Sequence, residues 1–454
     1  MGGSTIFEHF YFGHIMTNEK LSWGRFPRHF QQTDDIFWPE DVSHKIRNSS
    51  SQKSSGTLAF GMGRSYGDSC LAASDHVLLM NGMNRILSAN WENGVINAHA
   101  GLTLDELTKI ALPQGWFLPV SPGTCFVTLG GAVANDVHGK NHHSMGTFGR
   151  HVGNLKLYRS DEGEIICSAK ERPNLFAATI GGLGLTGIIL SVELQLQRVT
   201  SNQINQRSIK FGDLDEFFAL SQQHSSSNEY SVAWIDCLAR NKKTGRGHYL
   251  LGNHAKQGTL TTLKKRRIKV PFDPTISLIN KATLKSFNML YYHRQIRKDV
   301  QSLVNYDSFF YPLDAISEWN KIYGKPGFQQ YQCVIPDDQS QVVIRTILNE
   351  ISRSGTGSFL AVLKQFGDLS SPGILSFPIS GTTLALDFPQ REPENTRLFA
   401  KLDVLVHEAG GRLYPAKDAH MSAAHFQQAY PGWQHVEKFR DPQLLSRFWQ
   451  RVTQ

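Results

Sequence analysis

The stretch Gly182-Leu-Gly184-Leu-Thr-Gly187, followed at once by Ile188-Ile-Leu-Ser-Val-Glu-Leu-Gln-Leu-Gln197, decides how this chain folds. Its glycines spell GxGxxG, and in a βαβ dinucleotide unit that loop opens a helix whose N-terminus receives a pyrophosphate. Here Val192, Leu194 and Leu196 alternate with polar neighbours between Ser191 and Gln197, the period of a half-buried strand. A strand has no helix terminus to offer, so a Rossmann unit is excluded on context.

Two further glycine-rich loops lie upstream. Gly61-Met-Gly63-Arg64-Ser65-Tyr66-Gly67-Asp68 sits between the strand-like runs Leu58–Phe60 and Val77–Met80. Glycines at this density let successive backbone N–H groups converge on an anion without a helix. Arg64 adds charge and Ser65 a hydroxyl; a tight turn with a solvated arginine is the alternative. The run from Ser121 to His143 carries Gly123, Gly130, Gly131, Asn135 and His138, small residues that let a planar ring lie against backbone. His138, His142 and His143 match no zinc spacing, and no metal is expected. Between the loops, Val95–Ala98 reads as a strand and Leu104–Ile110 as a helix capped by Thr103. Val152–Tyr158 and Glu164–Cys167 read as a hairpin around Asp161-Glu162-Gly163.

A chain of 454 residues is expected to form two domains. With 40% hydrophobic and 19% charged residues it has the composition of an ordinary folded protein. No apolar run reaches the roughly 18 residues that span a bilayer. Met1–Lys20 lacks the pattern of a signal peptide, and Met16 offers an alternative start to Met1. Cys70, Cys125, Cys167, Cys237 and Cys333 are scattered without a CxxC pair, which fits the cytoplasm better than a disulfide framework. The net charge of +8 reads as mostly dispersed, with one cluster at Lys264, Lys265, Arg266, Arg267 and Lys269. No zinc-finger, RRM or helix-turn-helix signature surrounds it, so no nucleic-acid partner is expected. A phosphate-bearing substrate, an anionic membrane surface or a solvated loop each accounts for the excess. After Val199 the texture mixes strands and helices. Ile276, Ile279, Thr283, Phe287 and Leu290 recur at helical spacing through a basic segment. That segment suits a peripheral membrane contact, a flap or a buried helix. Ser49–Ser55 and Ser221–Ser227 read as loops.

Taken in order, the three loops and the stretches QYQCVIP from Gln330, SFLAVLKQFG from Ser358, LSFPISG from Leu375 and GGRLYPAKD ending at Asp418 resemble one family. It is the FAD superfamily of vanillyl-alcohol oxidase and p-cresol methylhydroxylase, with the likeness closer still to its polyprenyl-phosphoryl-pentose 2-oxidase branch. The matching stretches span nearly the whole chain.

The resemblance implies an α+β fold: a two-part FAD-binding domain of residues 1–197 and 412–454 around an α+β substrate domain of residues 198–411. It implies that Gly61, Gly63, Arg64, Ser65 and Tyr66 hold the FAD diphosphate, and that Gly123, Gly130, Asn135, His138, Gly184 and Ile188 line the rest of the cofactor. It surrounds the flavin and substrate with Tyr66, His138, Gln330, Gln332, Lys364, Phe366, Thr383, Ala385 and Lys417. Relatives with covalent flavin carry a histidine at the position that Arg64 occupies, so the flavin is expected to be non-covalent. The family's pocket cysteine falls at Ala385, and its neighbouring asparagine and tryptophan at Thr383 and Thr382.

Oxidising a secondary alcohol needs a hydride aimed at the flavin and an acceptor for the hydroxyl proton. Lys417 is the first candidate acceptor, since a desolvated lysine can lose its proton near neutrality; by sequence alone it reads more readily as an exposed lysine after a strand, and the resemblance reverses that order. His138 titrates in a suitable range, and Tyr66 can bond a hydroxyl, although both also read as packing residues. If Gln329–Ile335 is a strand, Gln330 and Gln332 share a face and could read sugar hydroxyls. Lys364 could pair with a phosphate. The function implied is oxidation at C2 of a polyprenyl-phosphoryl-β-D-ribose to the 2-keto form. A separate NAD(P)H-dependent short-chain reductase would complete an epimerisation at the inner face of the plasma membrane. The alternative is a soluble aldonolactone or alditol oxidase using oxygen.

Overall fold

The structure, a computed structural model, describes residues 20–51, 56–262 and 267–454. The expectations for Met16, for Lys264, Lys265 and Arg266, and for residues 52–55 lie outside the described residues.

The run after Gly187 forms the strand Ile188–Gln195, with Val192 and Leu194 buried and Gln195 exposed. It is the middle strand of a five-stranded antiparallel sheet, between Val95–His99 and Val152–Arg159. The Asp161–Gly163 turn closes the expected hairpin, with Val152–Arg159 paired to Gly163–Ser168. Thr103 caps the helix Leu104–Ala111 in a reciprocal box with Glu106, whose carboxylate accepts from the Thr103 backbone. A smaller parallel sheet orders Gln32–Asp35, His76–Leu79 and Leu58–Phe60.

An eight-stranded antiparallel sheet follows in the chain. Its strands Val362–Phe366, Gly381–Pro389 and Phe328–Pro336 lie side by side. Successive residues of a strand point to opposite faces. Tyr331, Cys333, Leu384 and Leu386 therefore bury against the helices Asp337–Ser354 and Glu394–Glu408 through Ile344, Ile347, Leu398 and Leu402. The other face carries Gln330, Gln332, Thr383, Ala385 and Asp387.

The last residues return to the start. Thr57 bridges to Leu444 and Ala72 to Ser446. Arg447 pairs with Asp75 at 2.8 Å, and the Asp441 carboxylate accepts from the Ser160 backbone at 2.7 Å. The mixed strands and helices make the chain α+β.

Two local expectations are corrected. Ser49–Ser51 end the helix Pro39–Ser51, and Ser221–His224 end the helix Leu214–His224, whose start is capped by Asp213. The helical period from Ile276 becomes a helix only at Lys281–His293, because the Asn280 side chain caps Ala282 and Thr283 and leaves Ile276 and Ile279 ahead of it. Among the described residues no helix is long and apolar enough to cross a membrane.

Candidate active site

The loop Gly61–Asp68 is held by backbone from distant segments. Trp23 N–H donates to the Ser65 carbonyl at 2.7 Å, and Tyr66 N–H donates to the Ala416 carbonyl at 2.9 Å. The approach is so close that a Cβ on Gly67 would collide with the Asp418 carbonyl oxygen, so only glycine fits there. Behind it, Arg451 bonds both Asp68 and Asp418 at 2.8 Å. Burial alone would raise the Asp418 carboxyl, but Arg451 and His420 hold it below the ordinary carboxylate range.

This joint delivers Lys417 onto Tyr66: the Lys417 Nζ lies 3.6 Å from the centroid of the Tyr66 ring. Burial brings the lysine down to about 7, with Asp387 opposing and Arg64 and Lys364 assisting. Burial pushes the Tyr66 phenol well above its usual value, so it remains a donor, with Gln330 beside its hydroxyl.

One elongated cavity runs from these residues across the glycine loops to the eight-stranded sheet. Gly61, Gly63, Arg64, Ser65, Tyr66, Gly123, Gly130, Asn135, His138 and Gly184 line it, as do Gln330, Gln332, Lys364, Ala385 and Lys417. Three expected residues lie outside this lining. Ile188 packs with Tyr158 and Leu190, and its neighbour Ile189 reaches the cavity instead. Phe366 is buried behind His138, its ring 4.9 Å away. Thr383 is buried beneath Gln332 and donates to the Cys333 carbonyl at 2.8 Å. Thr382 faces the other side of the sheet, where its hydroxyl donates to Gln365.

The electrostatics are positive, with Arg64, Lys364 and Lys417 on the lining. Burial brings Lys364 to about 8. The expectation that His138 titrates near neutrality is corrected: burial, then Lys364, His142 and Lys417, drive it well below its usual value. The imidazole is neutral, and its Nε2 accepts from the Gln332 amide at 3.1 Å.

The cavity suits a flavin dinucleotide on its own geometry. Space is open at the Cβ positions of Gly123 and Gly184, and Gly184 has φ +75°, a backbone that side chains disfavour. Arg64 stacks on Trp23 at 3.8 Å, and its buried Nε has no hydrogen-bond partner among the described residues. A half-buried guanidinium so placed, with the Asp314 carboxylate nearby, has a donor left over for an anion.

Sequence reasoning missed several contributors. Asp387 is fully buried behind Gln330, and burial lifts its carboxyl to about 7. Alternation with Thr383 and Ala385 was the available signal. Trp23, Asp314 and Trp319 also line the cavity, brought in from segments with no motif.

The FAD binding domain family model matches residues 40–168. Decaprenylphosphoryl-beta-D-ribose oxidase of Mycolicibacterium smegmatis is 36% identical over 444 residues, 94% of this chain and 95% of that protein. The chain belongs to the decaprenylphosphoryl-β-D-ribose oxidase family. It is an FAD-dependent oxidoreductase. An uncharacterized protein of the mprA 5′ region of Streptomyces coelicolor is 33% identical over 343 residues, 73% of this chain and 92% of that protein. L-gulonolactone oxidase of Mus musculus is 27% identical over 190 residues, 41% of each chain.

Proposed function

We propose that the protein oxidises the C2 hydroxyl of a polyprenyl-phosphoryl-β-D-ribose to the 2-keto form, the first half of an epimerisation that a separate NAD(P)H-dependent short-chain reductase completes. The observation that carries this reading is the placement of Lys417 Nζ 3.6 Å over Tyr66, on a cavity shared with Gln330, Gln332 and Lys364. The relative from Mycolicibacterium smegmatis is named for the same sugar lipid.

FAD, when bound, supplies the two-electron acceptor for the hydride on the sugar carbon. The chain's residues do the remaining work. Arg64, Ser65 and the amides around Gly61 and Gly63 hold the diphosphate, while Gly123, Gly130, Asn135 and Gly184 leave room for the rest of the cofactor. Lys364 pairs with the substrate phosphate, and Gln330 and Gln332 read the ribose hydroxyls beside Ala385. Neutral His138 orients Gln332 rather than moving a proton. Tyr66 donates to the substrate oxygen, and the neutral fraction of Lys417 takes the hydroxyl proton at Nζ.

In this reading residues 1–197 and 412–454 form one FAD-binding unit, with 198–411 as the substrate domain. The return of the tail to Thr57, Ala72 and Asp75 supports it. The lipid tail stays in the bilayer, so the enzyme works in the cytoplasm, peripheral to the inner face of the plasma membrane.

Anaerobic mixing with a polyprenyl-phosphoryl ribose tests the assignment. Rapid bleaching of the flavin is the expected result. Bleaching by an aldonolactone or alditol, with none by the sugar lipid, would replace it with the oxygen-using oxidase.

A further inference from the structure

Scattered exposed apolar side chains are ordinary, whereas a concentration of them marks an interaction surface. Of the nineteen large apolar side chains that stand exposed among the described residues, eight fall between Ile268 and Ile296. Ile268 is 72% exposed, Ile276 74%, Leu290 67% and Ile296 94%.

The same stretch concentrates charge. Residues 267–298 hold seven lysines and arginines against a single acid, Asp273, and Lys264, Lys265 and Arg266 precede them in the chain. Taken from residue 264, this segment nets +9, whereas the entire chain nets +8. The remainder of the protein is therefore near neutral, and its basic character is local rather than dispersed. Asp273 is itself taken by Arg25 at 3.0 Å.

The segment also packs on a strip of chain that lines the cavity. Ile268–Lys269 pairs in parallel with Ile316–Ser317, Leu278 N–H donates to the Ile322 carbonyl, and Ile279 packs against the aromatic cluster that holds Trp319 and Tyr66. Leu313, Asp314 and Trp319, from the strip that it covers, line the cavity.

We infer that residues 267–298 form a docking surface for an anionic lipid bilayer, which sets the cavity-lining strip beside the lipid. Exposed isoleucine and leucine side chains enter the interface while lysines and arginines meet anionic headgroups, the combination by which monotopic proteins bind. Charge complementarity favours the bilayer over a second copy of this chain, whose matching surface would be equally basic. The inference extends the proposed lipid-linked substrate, but it stands on exposure and charge.

Co-sedimentation of the flavin-loaded full chain with vesicles provides the test. Mixed phosphatidylglycerol–phosphatidylcholine vesicles should bind it, pure phosphatidylcholine should bind little, and high salt should release it. The variant I276S/L290S and the charge reversal K285E/R297E should each weaken binding about tenfold or more, with flavin content and melting temperature unchanged. Equal binding to both vesicle types, or none, overturns the surface. So does a concentration-dependent dimer that I276S/L290S dissolves. Oxidation of detergent-dispersed sugar lipid by a protein that ignores vesicles would sink this surface and leave the proposed function standing.

Discussion

The side-chain amide of Gln330 donates to the Asp387 carboxylate at 2.6 Å, across directly paired positions of adjacent strands. The Tyr323 hydroxyl faces the same carboxylate. Burial raises Asp387 to about 7, opposed by Gln330 and by the charge of Lys417, and its own charge in turn raises Lys417. The lysine and the acid thus titrate in the same range and tune one another.

Removing that charge should be visible in a pH profile. In Asp387→Asn the lysine loses the group that favours its protonated form, so its pKa falls further. The inflection in the limiting rate of flavin reduction should move to lower pH, measured by anaerobic stopped flow. An inflection that stays in place would show that Asp387 does not act through Lys417.

Lys417→Met keeps much of the side-chain volume and removes the amine. Flavin binding should persist while the limiting reduction rate falls about 10²–10⁴-fold. In the parent enzyme, Lys417 is charged below its value of about 7 and cannot accept a proton, so the rate should rise with pH and level above that point. The variant should lose this slope. A parental limiting rate in Lys417→Met would move the proton acceptor elsewhere, and Tyr66 would be tested next.

Arg64→Ala removes the half-buried guanidinium whose Nε stands without a partner among the described residues. Hydrogen bonds to a charged group contribute about 1.5–3 kcal/mol, so the FAD dissociation constant should rise roughly tenfold to a hundredfold. Titration of apoprotein by flavin fluorescence measures it. An unchanged constant would leave Arg64 as a stacking partner of Trp23 alone.

No histidine lies between Gly61 and Asp75, and the family resemblance sets Arg64 against the linkage histidine of the covalent relatives. Acid precipitation should therefore release the yellow colour into the supernatant. Colour retained in the pellet would establish a covalent bond.

Arg451→Met leaves the buried carboxylates of Asp68 and Asp418 facing one another without their cation. Breaking such a pair costs about 3–5 kcal/mol, and thermal unfolding should show a clear fall in Tm. The sign with pH follows from Asp418, whose folded-state value is depressed: its stabilising share is present above the ordinary carboxylate range and is lost on acidification. The variant should lack that share. A Tm at the parental value would reduce the bridge to a minor contact.

The glycine loops, the strand after Gly187 and the Thr103 cap were legible because local chemistry dictates them. Gln330 and Gln332 were legible by alternation, and the same alternation pointed to Asp387. Thr383 and Phe366 misled because they share their sheet face with Ala385 and Lys364, but Gln332 and His138 lie against them and keep them off the cavity lining. His138 misled for another reason: its usual titration range belongs to water, and burial beside Lys364 and Lys417 removes it from that range. Trp319 and Asp314 carry no local signal, since only the packing of Leu313–Tyr323 against Tyr66 brings them to the cavity.

The contact of Gly67 with Asp418 also governs when the enzyme comes into being. Asp68 and its partner Arg451 stand 383 residues apart, so the Gly61–Asp68 loop is braced by residues made long after it. Contacts of such separation form late, after the entropy of closing the intervening chain has been met. A nascent chain carrying the Gly61–Asp68 loop has neither Lys417 nor the backbone of Ala416 to shape it. Flavin capture is therefore expected to wait for the Ala416–Arg451 segment, and a chain cut before Ala416 should stay colourless.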